Sequence, residues 1–352
     1  MKTIEKKQKK TGQEYFQVTP DLWGMRILFV NVYMVVDHVN ESWVLIDAGL
    51  KGSENKIIQM AQDLFGKDNP PSAIILTHGH FDHVGALEEL LKTWNVPVYA
   101  HSLEHPYLTG FSSYPPPDPT AGGGLMSLMS WAYPTDPIDI SSNLHALENG
   151  NVPILKEWEY IHTPGHSPGH ISLFRKRGNI LIAGDAFVTT KQESILSVLF
   201  QEKIISGPPR YYTTNWAKAY NSVRTLSRLK PEVAATGHGV PFYGKELRKG
   251  IRHLEEHFYS ESVPKEGRYV SEPSQEDEYG VTYVPPLNLK TIVKIGLWVG
   301  VSIFSTAFFV LNRKNILRLF TEKNLGSQIK SKTKELLPVK TLGKKLSKVK
   351  LL

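Results

Sequence analysis

Between Thr77 and His83 the chain reads Thr-His-Gly-His-Phe-Asp-His, three imidazoles and one carboxylate within a single turn's length of sequence. The cluster follows the short apolar run 72–76, which is predicted as a buried strand, and precedes 86–94, whose apolar residues recur at helical spacing. It is therefore predicted on a strand-to-helix turn. On such a turn His78 and His80 can aim at one point while Asp82 and His83 aim at a second point nearby, so that one loop serves two metal ions. The 352-residue chain has no cysteine, which leaves imidazole, carboxylate and water as the only metal ligands. That set suits borderline or harder divalent ions.

Three further pieces follow the same local grammar. They are His162-Thr-Pro-Gly-His166-Ser-Pro-Gly-His170, then Ala183-Gly-Asp185-Ala186, then Thr236-Gly-His238-Gly239. Each sets a ligand-type side chain directly after an apolar run and beside glycine, where the backbone can turn sharply and bring the group inward. Taken singly each is compatible with a satisfied core histidine or a turn aspartate; together and in this order they point to a metal centre.

The surrounding pattern alternates strand and helix. Strands are predicted at 27–36 and 43–46, the second ending in Asp47-Ala48-Gly49, and at 96–100, 158–162, 171–174, 180–183 and 233–236; helices are predicted at 56–65, 216–229 and 244–257. Residues 107–137 lack periodicity, with Tyr114-Pro-Pro-Pro-Asp-Pro119 and three consecutive glycines from Gly122. Such a stretch is a functional lid or a surface insertion, and its Phe111, Tyr114, Met126, Met129, Trp131 and Tyr133 favour a wall that packs on something.

On these motifs the chain resembles the metallo-beta-lactamase superfamily, whose HxHxDH motif is matched in full by His78, His80, Asp82 and His83. The resemblance spans about residues 15–260. It implies an α/β fold, a four-layer αββα sandwich, with His78, His80 and His166 as ligands of a first metal, Asp82, His83 and His238 as ligands of a second, and Asp185 bridging both. Asp47 resembles the aspartate that orients a ligand imidazole from outside the metal shell. The implied chemistry is hydrolysis by a hydroxide shared between two zinc ions, iron or manganese being the alternative metals, with Asp82 as proton shuttle. His170 is expected to be buried or supporting rather than a ligand. His101, His105, His145, His253 and His257 have no motif context.

The substrate is less constrained than the chemistry. An ester, thioester or lactone of an apolar acid suits the aromatic stretch, and quorum-quenching lactonases are similar at residues 162–170, where the resemblance suggests Tyr211 or Tyr212 as a helper. The alternatives are a phosphodiesterase of the same superfamily and a persulfide dioxygenase holding a single iron. The net charge of +7 is concentrated in residues 313–352, which carry +10 and leave about −3 elsewhere. No nucleic-acid partner is expected on a catalytic region of that charge.

The remaining organisation reads as a charged N-terminal extension (1–14) without a secretory signal, a catalytic domain (15–260), an acidic, proline-containing linker (261–289), a membrane helix (290–312) and a basic tail (313–352). The helix is a C-terminal hydrophobic stretch of seventeen uncharged residues between basic flanks. It implies membrane association with the catalytic domain in the cytoplasm, or a soluble cytoplasmic protein if the helix is buried instead. The implied partner is a small-molecule substrate.

Overall fold

The computed structural model describes residues 15–287, all within the first of two compact units, Met1–Thr291. Seven strands form one mixed sheet in sequence order: β1 (Tyr15–Thr19), β2 (Leu22–Ile27), β3 (Val30–Asp37), β4 (Ser42–Ile46), β5 (Ala73–Ile75), β6 (Val98–Ala100) and β7 (Leu144–Ala146). β1 to β4 pair antiparallel as a meander, and β4 to β7 pair parallel. A second mixed sheet contains β8 (Trp158–His162), β9 (Ile171–Arg175), β10 (Ile180–Ile182), β11 (Val233–Ala235) and β12 (Phe242–Tyr243) in the order β12-β11-β10-β9-β8.

Alternation along the strands divides the core into layers. On β3 and β4, Val32, Met34, Trp43 and Leu45 join one cluster with Ile57, Met60, Leu87 and Leu90 of helices α1 (Glu54–Phe65) and α3 (Leu87–Trp94), which flank the short α2 (Phe81–Val84) in sequence. Their neighbours Tyr33, Val35, Val44 and Ile46 face the other way and meet Leu173, Ile180 and Ile182 of the second sheet. Because side chains on a strand alternate faces, an unbroken apolar run such as Trp43–Ile46 can fill two cores at once.

The second sheet repeats the device. Phe174, Leu181 and Ala234 turn outward against α7 (Trp216–Arg228) and α8 (Gly244–Glu256), where Val223, Leu226, Leu247 and Ile251 complete a third cluster. Between β6 and β7 in sequence lie α4 (His105–Leu108) and α5 (Leu125–Met129), and α6 (Ile195–Phe200) follows β10. The 107–137 segment is tied to later chain by Asp118 N to Tyr211 O (2.7 Å) and Met126 N to Glu193 O (3.2 Å). Tyr114 and Met126 are buried in it, whereas Phe111 and Trp131 are exposed.

Residues 261–283, of linker composition, carry α10 (Arg268–Ser271), which follows α9 (Phe258–Glu261), and an antiparallel hairpin of β13 (Gln275–Asp277) and β14 (Gly280–Tyr283). Buried Tyr269 donates to the Pro116 carbonyl at 2.6 Å, so this segment is fastened to the aperiodic one.

The expectation of a transmembrane helix and membrane association requires correction. No helix among the described residues is long and apolar enough to cross a membrane. The longest, α7 and α8, have 13 residues each, about 20 Å at the rise of a helix against roughly 30 Å of hydrocarbon. The stretch 290–312 and the tail 313–352 lie outside the described residues. That stretch is at the lower length limit for a span and is diluted by Gly296, Gly300, Ser302 and Ser305, so the membrane reading is not retained.

The layered core has a direct test. Leu45→Ala, at a fully buried position, is expected to lower the unfolding free energy by about 2–5 kcal/mol, while Phe200→Ala, at 80% exposure, is expected to stay within about 0.5 kcal/mol, both read from denaturant midpoints.

Candidate metal centre

Four loops at strand ends converge on one buried volume. The first leaves β5 at Thr77 and enters α2, carrying His78, His80, Asp82 and His83; all four are buried. The second follows β8 and holds His166, the third follows β10 and holds Asp185, and the fourth follows β11 and holds His238. The loops are laced together by backbone bonds, among them Ile171 N to Thr77 O at 2.9 Å and Gly237 N to Gly184 O at 2.8 Å. Gly184 has φ +53, and a side chain there would also press on His170, so the turn into Asp185 calls for glycine.

Within this volume the potential ligand atoms fall into overlapping groups, each with its atoms within 4.8 Å of one another: His78, His80 and His166; His78, His83 and Asp185; Asp82, His83 and His238. His80 Nδ1 is 3.0 Å from His166 Nε2. Asp185 Oδ2 is 3.0 Å from His238 Nε2, 3.4 Å from His166 Nε2 and 3.7 Å from His83 Nε2, so this one carboxylate lies among all the groups. Asp82 Oδ2 is 3.5 Å from His238 Nε2.

Three atoms here are buried with no hydrogen-bond partner: His78 Nε2, His83 Nε2 and Asp185 Oδ1. An unmet buried polar atom costs on the order of 1–3 kcal/mol, and three in one place fit a cation better than they fit an empty core. The residues present therefore suit a bound metal.

The outward-facing atoms of the imidazoles are held. Asp47, at the end of β4 in the left-handed region (φ 60), accepts from His83 Nδ1 at 2.8 Å and from Thr77 N and Oγ1 at 2.7 and 2.8 Å. His238 Nδ1 donates to the Phe29 carbonyl at 2.7 Å, which fixes Nε2 as the inward atom. His166 Nδ1 lies 3.3 Å from Thr213 Oγ1. His170 is spent outside the cluster, with Nδ1 at Thr163 Oγ1 and Nε2 accepting from Asp185 N, both at 2.8 Å.

Electrostatics divide the cluster. Burial and the neighbouring imidazoles hold His78 and His80 well below the usual histidine range, and burial takes His166 and His170 down to about 3. Neutral imidazole is the form that ligates a metal. Burial also opposes charge on His83, but Asp47, Asp185 and Asp82 outweigh it and lift that imidazole well above its ordinary value. Asp185, despite its burial, is held well below the carboxylate range by His238 and His83. Burial raises Asp82 from its ordinary value.

Several residues of this neighbourhood carry no motif signal in the sequence. Asn31 and Tyr33 of β3 grip the turn before His238, Tyr33 through its hydroxyl to the Thr236 carbonyl at 2.7 Å and Asn31 through Nδ2 to the Thr236 and Gly239 carbonyls. Tyr212, which only the lactonase resemblance pointed to, stacks on His80 at 4.4 Å between ring centres, and its hydroxyl donates to the Pro134 carbonyl. Glu104, fully buried, reaches two of the four loops. Among the histidines without motif context, His253 and His257 stand together with Glu261 in an exposed group far less demanding of a ligand than the buried one.

Asp47→Asn replaces one carboxylate oxygen, all of whose partners are donors, with a donor. It is expected to weaken metal retention by about 10- to 100-fold, measured by competition with a chromogenic chelator, with the fold retained by circular dichroism.

The chain is 46% identical over 241 residues, 68% of its length and 91% of the relative's, to a probable metallo-hydrolase, YflN, of Bacillus subtilis. It is 28% identical to the hydroxyacylglutathione hydrolase GloC of Haemophilus influenzae, over 55% of this chain and 79% of that one. Among solved structures, a metallo-beta-lactamase family protein from Thermus thermophilus aligns at 20% identity and a TM-score of 0.48, covering 69% of this chain and 81% of that one. Residues 25–238 match the sequence pattern of one family from β2 through His238, and the chain belongs to the metallo-beta-lactamase superfamily.

Proposed function

We propose that the chain is a dinuclear metal-dependent hydrolase, zinc being the first choice of metal, acting on an ester, thioester or lactone of an apolar acid. The observation that carries this reading is the trio of buried, unpartnered atoms on His78, His83 and Asp185. His78, His80 and His166 would hold one cation and Asp82, His83 and His238 the other, with Asp185 between them. When bound, such cations act as Lewis acids and lower the pKa of water toward neutrality.

The chain's own residues then prepare the site. Asp47 keeps His83 turned so that Nε2 faces inward, and the Phe29 carbonyl does the same for His238. Asp82, beside His238, is assigned to accept a proton from the attacking water on its carboxylate and to pass it to the leaving group. No serine or cysteine nucleophile is needed.

An adjoining cleft of about 720 Å³ supports the apolar half of the substrate. Phe29, Met126, Met129, Tyr133, Val198 and Leu199 line it. Phe29 stacks on His238 at 6.1 Å, so the cleft opens beside the second ligand group. An acyl chain entering there would gain about 0.8 kcal/mol for each methylene buried, roughly fourfold in kcat/KM.

The test is a substrate panel on chelator-stripped and metal-reloaded protein: acyl esters and lactones of two to ten carbons, thioesters including a hydroxyacylglutathione, a phosphodiester, and a persulfide with oxygen uptake recorded. Stripped protein is expected to be inactive. Reloaded protein with two zinc ions per chain is expected to hydrolyse the ester-like substrates, faster as the acyl chain lengthens. Activity confined to the phosphodiester, or one iron per chain with oxygen consumption, would overturn the proposal in favour of the phosphodiesterase or the dioxygenase respectively.

A further inference from the structure

We propose that Glu104 is a positioning residue that sets the spacing of the His78/His80/His166 group and leaves the Asp82/His83/His238 group to other braces. The proposal rests on the metal-binding reading above. Glu104 ends a single 3-10 turn (Ser102–Glu104) after β6 and is fully buried. Its Oε2 accepts from Gly79 N at 2.9 Å and from the Tyr114 hydroxyl. Its Oε1 accepts from Gly169 N at 2.7 Å and from Ser167 Oγ at 2.8 Å.

The identities of those donors define the role. Gly79 sits between His78 and His80, and Ser167 directly follows His166. One carboxylate thus links the loop bearing two members of the group to the loop bearing the third. Tyr114 adds a second strut, since its hydroxyl also lies 2.9 Å from Gly79 N and its ring lies 4.5 Å from that of His80. The other group is braced from Asp47 and the Phe29 carbonyl.

The close approach also accounts for a motif glycine. A Cβ at residue 169 would lie 2.8 Å from Glu104 Cγ and 2.9 Å from Glu104 N, which no relaxed structure tolerates. At residue 79 a Cβ would press on the Tyr114 hydroxyl.

Hydrogen-bond arithmetic makes glutamine a poor substitute. Each carboxylate oxygen receives one backbone N–H and one hydroxyl. A hydroxyl can rotate and accept, but a backbone N–H can only donate. Either orientation of a glutamine amide therefore sets its NH2 against one backbone N–H, that of Gly79 or that of Gly169, and pushes one loop away.

The experiment titrates metal-stripped wild-type, Glu104→Gln, Gly169→Ala and Tyr114→Phe protein with Co2+, following the visible d–d spectrum, with Zn2+ competition for affinities. Wild type is expected to bind two ions. Glu104→Gln and Gly169→Ala are expected to weaken one ion by about 10- to 100-fold while the other binds as in wild type. Tyr114→Phe, which keeps the carboxylate, is expected to shift the same ion less. Wild type that binds no metal defeats the underlying metal-binding reading. Wild type that binds two ions, with variants that keep both affinities or lose both equally, defeats the role of Glu104 alone. If Glu104→Gln does not fold, Gly169→Ala decides between these outcomes.

Discussion

Five imidazoles and two carboxylates share one buried volume, and that crowding is the constraint around which this fold is organised. Each of His78, His80, His83, His166 and His238 is at most 4% exposed, and Asp185 only 1%. Burying ionisable groups without partners is costly. The cluster softens the cost by sorting its charges, with His78, His80 and His166 kept neutral, His83 leaning on Asp47 and Asp185, and His238 on Asp185. The unmet atoms that remain point inward, where a cation would satisfy them together.

The sheets supply the rigidity this requires. Every proposed ligand lies on a loop or short helix that directly follows a strand, and three of those four strands, β5, β10 and β11, are short and wholly apolar. Precision comes from a shell of acceptors aimed at the outer nitrogens and at the loop backbone. Asp47 and Glu104 both hold the first loop, Glu104 ties it to the second, and the Phe29 carbonyl holds the fourth. A site assembled from four loops stays loose unless those loops are fastened to one another, and the cross-links from β3 through Asn31 and Tyr33 fasten the last of them.

Much of this was legible in the sequence because the relevant signals are local. His78, His80, Asp82 and His83 fall on a turn bounded by a buried strand and a helix, and His166, Asp185 and His238 each follow an apolar run beside glycine. The parity of Val32 to Val35 and Trp43 to Ile46 likewise announces strands buried on two faces. The misses share the opposite property. The turn between β2 and β3 runs through Leu28 at φ 57 with no glycine to mark it, β7 is three residues long and partly exposed, and the β13–β14 hairpin is built from acidic, linker-like sequence. Glu104 is one carboxylate in an undistinguished stretch whose partners lie 10 to 65 residues away. The only trace it leaves is indirect, in the glycines at 79 and 169 that make room for it and for Tyr114.

The proposal of a paired-cation centre is most directly tested by anomalous X-ray diffraction at the zinc edge from crystals of the full chain loaded with zinc. Two peaks are expected, one within bonding distance of His78, His80 and His166 and the other of Asp82, His83 and His238, with the Asp185 carboxylate beside both. Zinc found only at the exposed His253, His257 and Glu261, or none within the buried loops, would contradict it.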